Sequence, residues 1–175
     1  MRHVHVTLGL LPALLLLAGC DSTTGASGVV RLRDDCDPAT FNAALGAGTC
    51  QHASGSTGMT LSAFTAELTA KQSVAAWGIV PDALDLNEGA RFAVVNTGGE
   101  THTYTEVEEF GGGVVASLNQ LSGNPTAAPE CLDAAQFDAS TVRAGETVEH
   151  TFDERGLEKY QCCIHPWMRQ TVVVR

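Results

Sequence analysis

Three side chains that bind soft metals stand close together near the C-terminal end of the chain. Cys162, His165 and Met168 form a Cys-x2-His-x2-Met segment within the sequence YQCCIHPWM. The residues on either side predict strands at 157–162 and 170–174, so the three side chains share one tight loop. Thiolate, imidazole and thioether together suit copper, and two His with one Cys and a long axial Met form an electron-transfer site. Such a site requires one more histidine.

The second imidazole comes from a short set of candidates. Outside residues 1–19, the histidines are His52, His102, His150 and His165. His52 lies in a Ser/Gly-rich stretch and is predicted to be solvated, while His150 alternates with apolar residues and is predicted to be a partly exposed strand residue. His102 starts a strand after the Gly98-Gly99 turn, where an inward ring could meet the C-terminal loop. We therefore predict His102 as the second nitrogen ligand.

Other interpretations of these residues stay open at this point. Cys162 could join a disulfide, even with Cys163, although a bridge between neighbours is strained. Met168 could be an ordinary core side chain beside a strand. A zinc site would favour four Cys, His or carboxylate ligands and would gain little from a thioether. Copper is the metal that accounts for all the donors together.

The elements that must position these side chains are short strands. Runs rich in β-forming residues, separated by Gly and Pro, occur at 74–80, 83–86, 91–96, 101–107, 147–152, 157–162 and 170–174. Leu61, Phe64 and Leu68 recur at helical spacing and predict a short helix over about 61–71. Residues 114–141 have the composition of loops. Strands without alternating helices predict an all-β fold, specifically an antiparallel β-sandwich.

The N-terminus predicts export. Residues 7–18 form an apolar run as long as a signal-peptide core, and small residues follow it directly before Cys20. This pattern resembles a bacterial lipoprotein signal, in which residues 1–19 are removed and Cys20 is lipidated; an ordinary secretory signal with a chance cysteine is the alternative. Residues 20–28 predict a flexible tether, and residues 29–72 an N-terminal extension. No second run approaches the ~18 apolar residues of a membrane helix.

The charge balance restricts the kinds of partner. With 20 acidic and 10 basic residues the chain has a net charge of -10, which becomes -11 when residues 1–19, with their single Arg, are removed. No basic stripe is present, so no nucleic-acid partner is expected. Glu106, Glu108 and Glu109 follow the His102 strand and would steer basic partners at low salt. Solubility alone would also account for such charge.

The two ligand segments resemble the cupredoxin family, especially its small plastocyanin- and amicyanin-like members with a His-Pro-x-Met ending. The resemblance covers residues 73–175, opening with Trp77 and Pro81, passing through Gly89 and Asn96, and closing with TFDERGLEKYQCCIHPWM. It implies a Greek-key sandwich that binds one type 1 copper per chain. The family's ligands then fall on His102, Cys162, His165 and Met168. Residues 20–72 have no counterpart in that core.

The resemblance also implies roles around the ligands. Thr103 stands where relatives often have Asn or Ser that ties the two ligand segments together. The ring edge of His165, beside Pro166 and Trp167, is expected to reach an apolar surface patch where electrons leave. Such a patch suits a transient redox encounter. Packing beneath the loop is the alternative role for Trp167.

The remaining cysteines are expected to form disulfides. If lipid occupies Cys20 and copper occupies Cys162, an oxidising compartment leaves four cysteines with three connectivities. We favour the hypothesis that Cys36 pairs with Cys50, closing a short loop. Cys131 would then pair with Cys163 and pin the 114–141 segment beside the ligand loop.

The predicted function is single-electron transfer by a blue-copper protein. It would be an exported, membrane-anchored lipoprotein facing the periplasm or cell exterior, monomeric, with transient redox-protein partners. A copper-handling or delivery module is the alternative, although Met-rich and His-rich tracts are lacking. An enzyme such as a copper oxidase would need further His-x-His pairs, and the only one lies in residues 1–19. We therefore expect no catalytic activity.

Overall fold

The computed structural model describes residues 27–52 and 56–175. Their strands are β1 (Gly28–Arg33), β2 (Gly78–Val80), β3 (Ala83–Leu86), β4 (Ala90–Asn96), β5 (His102–Thr103), β6 (Thr105–Glu106), β7 (Thr141–Val142), β8 (Thr147–Phe152), β9 (Gly156–Gln161) and β10 (Arg169–Val174). The helices are α1 (Pro38–Leu45), α2 (Leu61–Lys71), α3 (Ala116–Leu121), α4 (Pro129–Leu132) and α5 (Ala134–Ser140). The predicted signal peptide and Cys20 lie outside the described residues. None of the described helices is long and apolar enough to span a bilayer.

The strands form two four-stranded sheets and one small ribbon. The first sheet has the order β2-β1-β4-β8, the second has the order β3-β10-β9-β6, and β5 pairs with β7. β1 is parallel to β4 and β3 is parallel to β10, whereas the other strand pairs are antiparallel. The sheets are therefore mixed, and the prediction of purely antiparallel strands was wrong for these two pairs. Parallel neighbours need a long connection, and each pair is separated by several intervening elements.

The two sheets pack face to face around one core. Alternate residues of a strand point to opposite faces, and Val30 and Leu32 of β1 are fully buried, as is Val172 of β10. Across the interface, the Phe152 ring of the first sheet lies 5.8 Å from the Tyr160 ring of the second, between centroids. The predicted β-sandwich is confirmed by this packing.

The segment predicted as an extension contributes a central strand. β1 lies between β2 and β4 in the first sheet, with Arg31 opposite Val95 in the parallel register. The division at residue 73 therefore separates residues that share one sheet. The strand signal was present, because Val30 and Leu32 alternate with Arg31 and Arg33 at the period of a half-buried strand.

The predicted helix at 61–71 is confirmed as α2. The Thr60 side chain accepts a hydrogen bond from the Ala63 amide and caps the first turn, and Gln72 ends the helix in a left-handed conformation at φ 59°. Phe64 and Leu68 lie one turn apart and are both buried. The buried face of α2 thus joins the core that its spacing predicted.

Two other regions differ from the prediction. Residues 114–141 contain α3, α4 and α5, none longer than seven residues, so none could show a repeated helical period. The predicted strand at 101–107 is divided, because β5 pairs with β7 whereas β6 pairs with β9. The chain changes partner at Tyr104. This change leaves His102 next to the C-terminal loop, in the small β5-β7 ribbon rather than in either four-stranded sheet.

Candidate metal centre

His102 is positioned by the turn that precedes β5. The Asn96 side-chain amide donates to the carbonyls of Glu100 (2.8 Å) and Val142 (2.9 Å), and its oxygen accepts from the Gly98 amide at 2.9 Å. One buried side chain therefore fixes both ends of the turn. The register of β5 against β7, with His102 opposite Val142, then sets the direction of the imidazole.

The other candidate ligands lie on the loop between β9 and β10. The Cys162 amide donates to the Met168 carbonyl at 3.0 Å, and the Met168 amide donates to the His165 carbonyl at 2.9 Å. These bonds close the loop on itself. Met168 is fully buried, so all three side chains of the predicted Cys-x2-His-x2-Met segment lie inside the protein.

The two segments bring three donor atoms together. The Cys162 Sγ atom lies 3.8 Å from His102 Nδ1 and 3.8 Å from His165 Nδ1. One donor atom of each residue lies within 4.8 Å of the other two, and all three residues are buried. Sequence reasoning grouped these three residues from two segments that are 60 positions apart.

The pKa of the Cys162 thiol is affected by burial and by the two neighbouring imidazoles. Burial alone would raise its pKa, but hydrogen bonding from the His102 and His165 rings and their charge lower the pKa well below its usual range. Burial opposes the charged form of His102, yet hydrogen bonds to Asp34 and Cys162 raise its pKa. A thiolate is the metal-binding form of cysteine. The two neighbouring rings thus favour the form of the sulfur that binds metals.

Thr103 ties the two ligand segments together. Its amide donates to Cys162 Sγ at 3.4 Å, and its hydroxyl accepts from the Cys163 amide at 2.8 Å. The Thr105 hydroxyl in turn donates to the Thr103 hydroxyl at 2.8 Å. Threonine therefore makes contacts of the kind that the resemblance assigned to Asn or Ser at this position.

Of the neighbouring cysteines, Cys163 forms a disulfide and Cys162 is free. Disulfides join Cys36 to Cys50 and Cys131 to Cys163, as the hypothesis proposed. Cys162 is the free cysteine among the described residues. A bridge at Cys162, the alternative left open by the sequence, is absent from this part of the chain.

Each imidazole meets a buried carboxylate on its far side. His102 Nε2 lies 2.8 Å from Asp34 Oδ2, and His165 Nε2 lies 3.5 Å from Glu100 Oε2. Sequence reasoning missed both acids. Glu100 stands two positions before His102, so its proximity could have drawn attention, but Asp34 is 68 positions away and gave no signal.

His52 differs from its prediction as a solvated residue. Its Nε2 atom is buried, lies 3.4 Å from Asp34 Oδ1, and has no hydrogen-bond partner among the described residues. The disulfide between Cys36 and Cys50 holds this stretch against the Gly99 backbone. The contact is close, because a Cβ added at Gly99 would lie 2.7 Å from the His52 ring. The covalent link overrides the local composition.

The prediction that the ring edge of His165 reaches an apolar surface patch was wrong. His165 is only 3% exposed, and Pro166 is buried as well. Trp167 packs against Phe64 of α2, with ring centroids 5.8 Å apart, and against the His165 ring at 5.5 Å. The helices of the N-terminal segment cover the ring edge that was expected to face solvent, and Trp167 takes the packing role.

A cavity of about 380 Å³ lies beneath this cover. Its lining is mostly apolar and comes from α1, α2, α3 and the ligand loop, including Phe41, Phe64, Leu118, Ile164, Glu100 and His165. The cavity is thus in contact with one candidate ligand and with the carboxylate beside it.

The donor set fits copper. A thiolate and two imidazoles whose Nδ1 atoms face the sulfur match a trigonal copper set. The ring nitrogens on the other side meet carboxylates, which is the usual outer arrangement of metal-binding histidines. Met168 is a buried thioether on the same loop.

Comparisons with known proteins give distant structural matches. No protein-family model matches the sequence, and a search of curated proteins finds no match. A purple cupredoxin from Nitrosopumilus maritimus is 21% identical over 58% of this chain and 86% of its own, with a TM-score of 0.39. A Cu(I) amicyanin mutant (21%, 56% and 73%, TM-score 0.35) also matches. So does oxidised plastocyanin from Dryopteris crassirhizoma (14%, 57% and 89%, TM-score 0.37).

Proposed function

We propose that this protein is a blue-copper protein of the cupredoxin kind that carries single electrons between redox partners. The observation that carries the proposal is the buried cluster in which Cys162 Sγ lies 3.8 Å from the Nδ1 atoms of both His102 and His165. A lowered thiol pKa, a free cysteine beside a bridged one, and two rings oriented toward the sulfur all support a metal role.

Each residue has a distinct role in the proposed site. Cys162 supplies the thiolate, His102 and His165 supply neutral imidazole nitrogens, and Met168 supplies the weak axial thioether. Copper, when bound, alternates between Cu(II) and Cu(I) and so accepts and releases one electron. The protein's part is to keep these donors in place in both states.

The surroundings of the donors resist rearrangement. Thr103 bonds both Cys162 and Cys163, the loop amides bond within the loop, and both rings contact carboxylates. Because the protein must reorganise little when the charge changes, electron transfer can be fast. No substrate-activating group is required, so the protein acts as a carrier rather than a catalyst.

The wider biology of the chain follows from the N-terminal pattern. We place the protein outside the cytoplasm, held to a membrane through lipid on Cys20, as a monomer with one copper. The net charge of -11 that remains after residues 1–19 are removed would steer basic redox partners toward it at low salt. Mass spectrometry of the membrane-extracted protein tests this: a diacylated or triacylated N-terminal Cys20 is expected, and an unmodified chain would contradict it.

The decisive experiment is optical and EPR spectroscopy of the purified protein with Cu(II). We expect an intense visible thiolate-to-copper band and a narrow EPR hyperfine splitting, both lost in Cys162→Ser. Cys162 forms no disulfide and Ser has a similar size, so the variant should still fold. Its folding is checked as the control. Copper-loaded protein that stays colourless after oxidation would overturn the proposal.

The axial donor can be tested with a matched pair of methionines. Residues 20–175 contain two methionines, Met59 and Met168. Met59 packs at the edge of the core, just before the N-terminal end of α2. Met168→Leu should change the reduction potential and the EPR parameters, because it removes the thioether but keeps the volume. Met59→Leu should leave both unchanged.

The copper-delivery alternative gains no support from the site. His102, Cys162, His165 and Met168 are all buried, whereas a delivery site must hand its metal to a partner. We expect slow transfer of copper to an external chelator, over hours. Rapid transfer without redox cycling would favour delivery instead.

A further inference from the structure

A carboxylate from the N-terminal segment reaches the candidate metal centre. Asp34 follows β1 directly, its side chain is fully buried, and its Oδ2 atom lies 2.8 Å from His102 Nε2. β1 is thus more than a structural strand, because it delivers a negative charge to the far side of a proposed ligand.

The Asp34 carboxylate is held in one orientation. Oδ1 accepts from the amides of Gly99 (3.0 Å) and Cys36 (3.2 Å), and Oδ2 accepts from the Glu100 amide at 2.9 Å. A Cβ at Gly98 would come within 1.9 Å of Oδ2, so this glycine leaves room for the acid.

A second carboxylate stands in the equivalent place behind the other ring. Glu100 Oε2 lies 3.5 Å from His165 Nε2 and accepts a 2.7 Å hydrogen bond from the Trp77 indole. Glu100 is 6% exposed. Both imidazoles therefore lie between the Cys162 sulfur and a buried acid, although the contact of Asp34 is the shorter one.

Buried anions act on an electron-transfer site in a definite direction. A carboxylate that accepts the Nε2 proton fixes the tautomer and makes the opposite nitrogen a stronger donor. In a low-dielectric interior its charge also acts strongly on a nearby cation. Both effects favour the more highly charged oxidised metal over the reduced one. The Nε2 atom of His52 stands 3.4 Å from the other oxygen of Asp34.

Resting on the proposed copper function, we infer that Asp34, assisted by Glu100, orients the histidine ligands and lowers the reduction potential of the bound copper. Asp34 is a positioning residue, since it touches His102 rather than the metal. This gives the N-terminal segment a role in tuning the site, in addition to completing the first sheet.

The test compares charge-neutral variants of equal size in the copper-loaded full chain. Asp34→Asn should shift the Cu(II)/Cu(I) equilibrium about tenfold toward Cu(I), a rise of about 59 mV for a one-electron couple. Glu100→Gln should give a smaller rise because its contact is longer. Asp35→Asn changes the net charge equally at an exposed neighbour and should leave the potential unchanged.

A second readout does not depend on copper. In ¹H–¹⁵N spectra of the metal-free protein, the His102 Nε2 proton should resonate far downfield because it is bonded to a carboxylate, and it should move upfield in Asp34→Asn.

A conservative variant tests the charge in the copper-loaded protein. Asp34→Glu restores the charge and should return the reduction potential toward that of the wild type.

The outcomes separate this inference from the proposed function. Wild-type protein without a visible band overturns the function itself. A blue, folded Asp34→Asn protein with the potential of Asp35→Asn overturns the inference alone. If Asp34→Asn does not fold, Glu100→Gln decides: an unchanged potential there overturns the inference, and a rise supports it.

Discussion

His102 and His165 lie at the same distance from the Cys162 sulfur, 3.8 Å, yet the chain secures them by different means. His102 starts a strand that pairs with β7, and Asp34 contacts its Nε2 atom at 2.8 Å. His165 belongs to a loop, and its contact with the Glu100 carboxylate is longer, at 3.5 Å. The rings of Phe64 and Trp167 form an aromatic cover beside it, next to a cavity.

The difference indicates that one ring is held by polar contacts and the other by packing. Around His102 the neighbours are amides and carboxylates whose directions are fixed. Around His165 the neighbours include the rings of Phe64 and Trp167, whose contacts depend on α2 staying in place. Changes on the two sides should therefore affect the site in different ways.

The largest effect is expected from removing each ring in turn. His102→Gly and His165→Gly should both lose the visible band completely. Added imidazole should restore the band in His165→Gly, because the cavity of about 380 Å³ adjoins that ring and can admit it. His102→Gly should show no recovery, since its ring is fully buried against Asp34. Equal rescue of both variants would break the comparison.

Opening the aromatic cover should affect stability and electron exchange together. Phe64 contacts Trp77 at 4.8 Å and Trp167 at 5.8 Å between ring centroids, so Phe64→Ala should lower the free energy of unfolding by about 3–5 kcal/mol. It should also speed oxidation by a small soluble oxidant, because His165 becomes exposed. Phe92→Ala, on the first sheet against Phe152, should destabilise the protein without changing that rate.

Removing each disulfide should lower the stability of the protein, but only one removal should affect the surroundings of His102. Replacing Cys131 and Cys163 by Ala opens a loop with a sequence separation of 32, and replacing Cys36 and Cys50 opens one of 14. Loop entropy then predicts losses of about 4 and about 3 kcal/mol, measured by urea unfolding. Only the Cys36 and Cys50 pair should disturb the His102 Nε2 proton, because the Cys36 amide bonds Asp34. The reverse pattern would contradict the division.

The smallest effect concerns a charge remote from both rings. Burial raises the pKa of Glu158, and the charges of Glu154 and Asp153 raise it further, against the hydrogen bond from Tyr160. Because the folded state holds this proton more tightly, its stability falls as pH rises from the ordinary value of 4.5 through the raised pKa. Glu158→Gln should therefore stabilise the protein near pH 7 by up to about 1 kcal/mol and flatten this pH dependence.

The control for this charge is an exposed acid of α5. Asp138→Asn removes one negative charge from the surface and should leave the melting temperature and its pH profile almost unchanged. A Glu158→Gln protein that melts below the wild type at neutral pH would contradict the prediction.

Local patterns in the sequence predicted what depends on neighbours along the chain. Cys162, His165 and Met168 share one loop, and Leu61, Phe64 and Leu68 share one helix face, so spacing alone identified them. The predicted disulfide pairs are also present. In each case the chemistry of a residue type limited the alternatives.

Contacts between distant segments were beyond such patterns. Asp34 reaches His102 only because β1 pairs in parallel with β4, and a parallel register has no local sequence signature. The cover over His165 depends on how α1 and α2 pack, which their apolar faces do not specify. The composition around His52 suggested solvent, but a disulfide decided its position.

The place of β1 also decides where the protein can be cut. A fragment beginning at residue 73 would retain all four proposed ligands, yet it would lose the strand between β2 and β4. Two strand edges would then be open to pairing with other chains. A transplantable unit must therefore include β1 together with residues 73–175, because the proposed metal centre would otherwise lose part of its own scaffold.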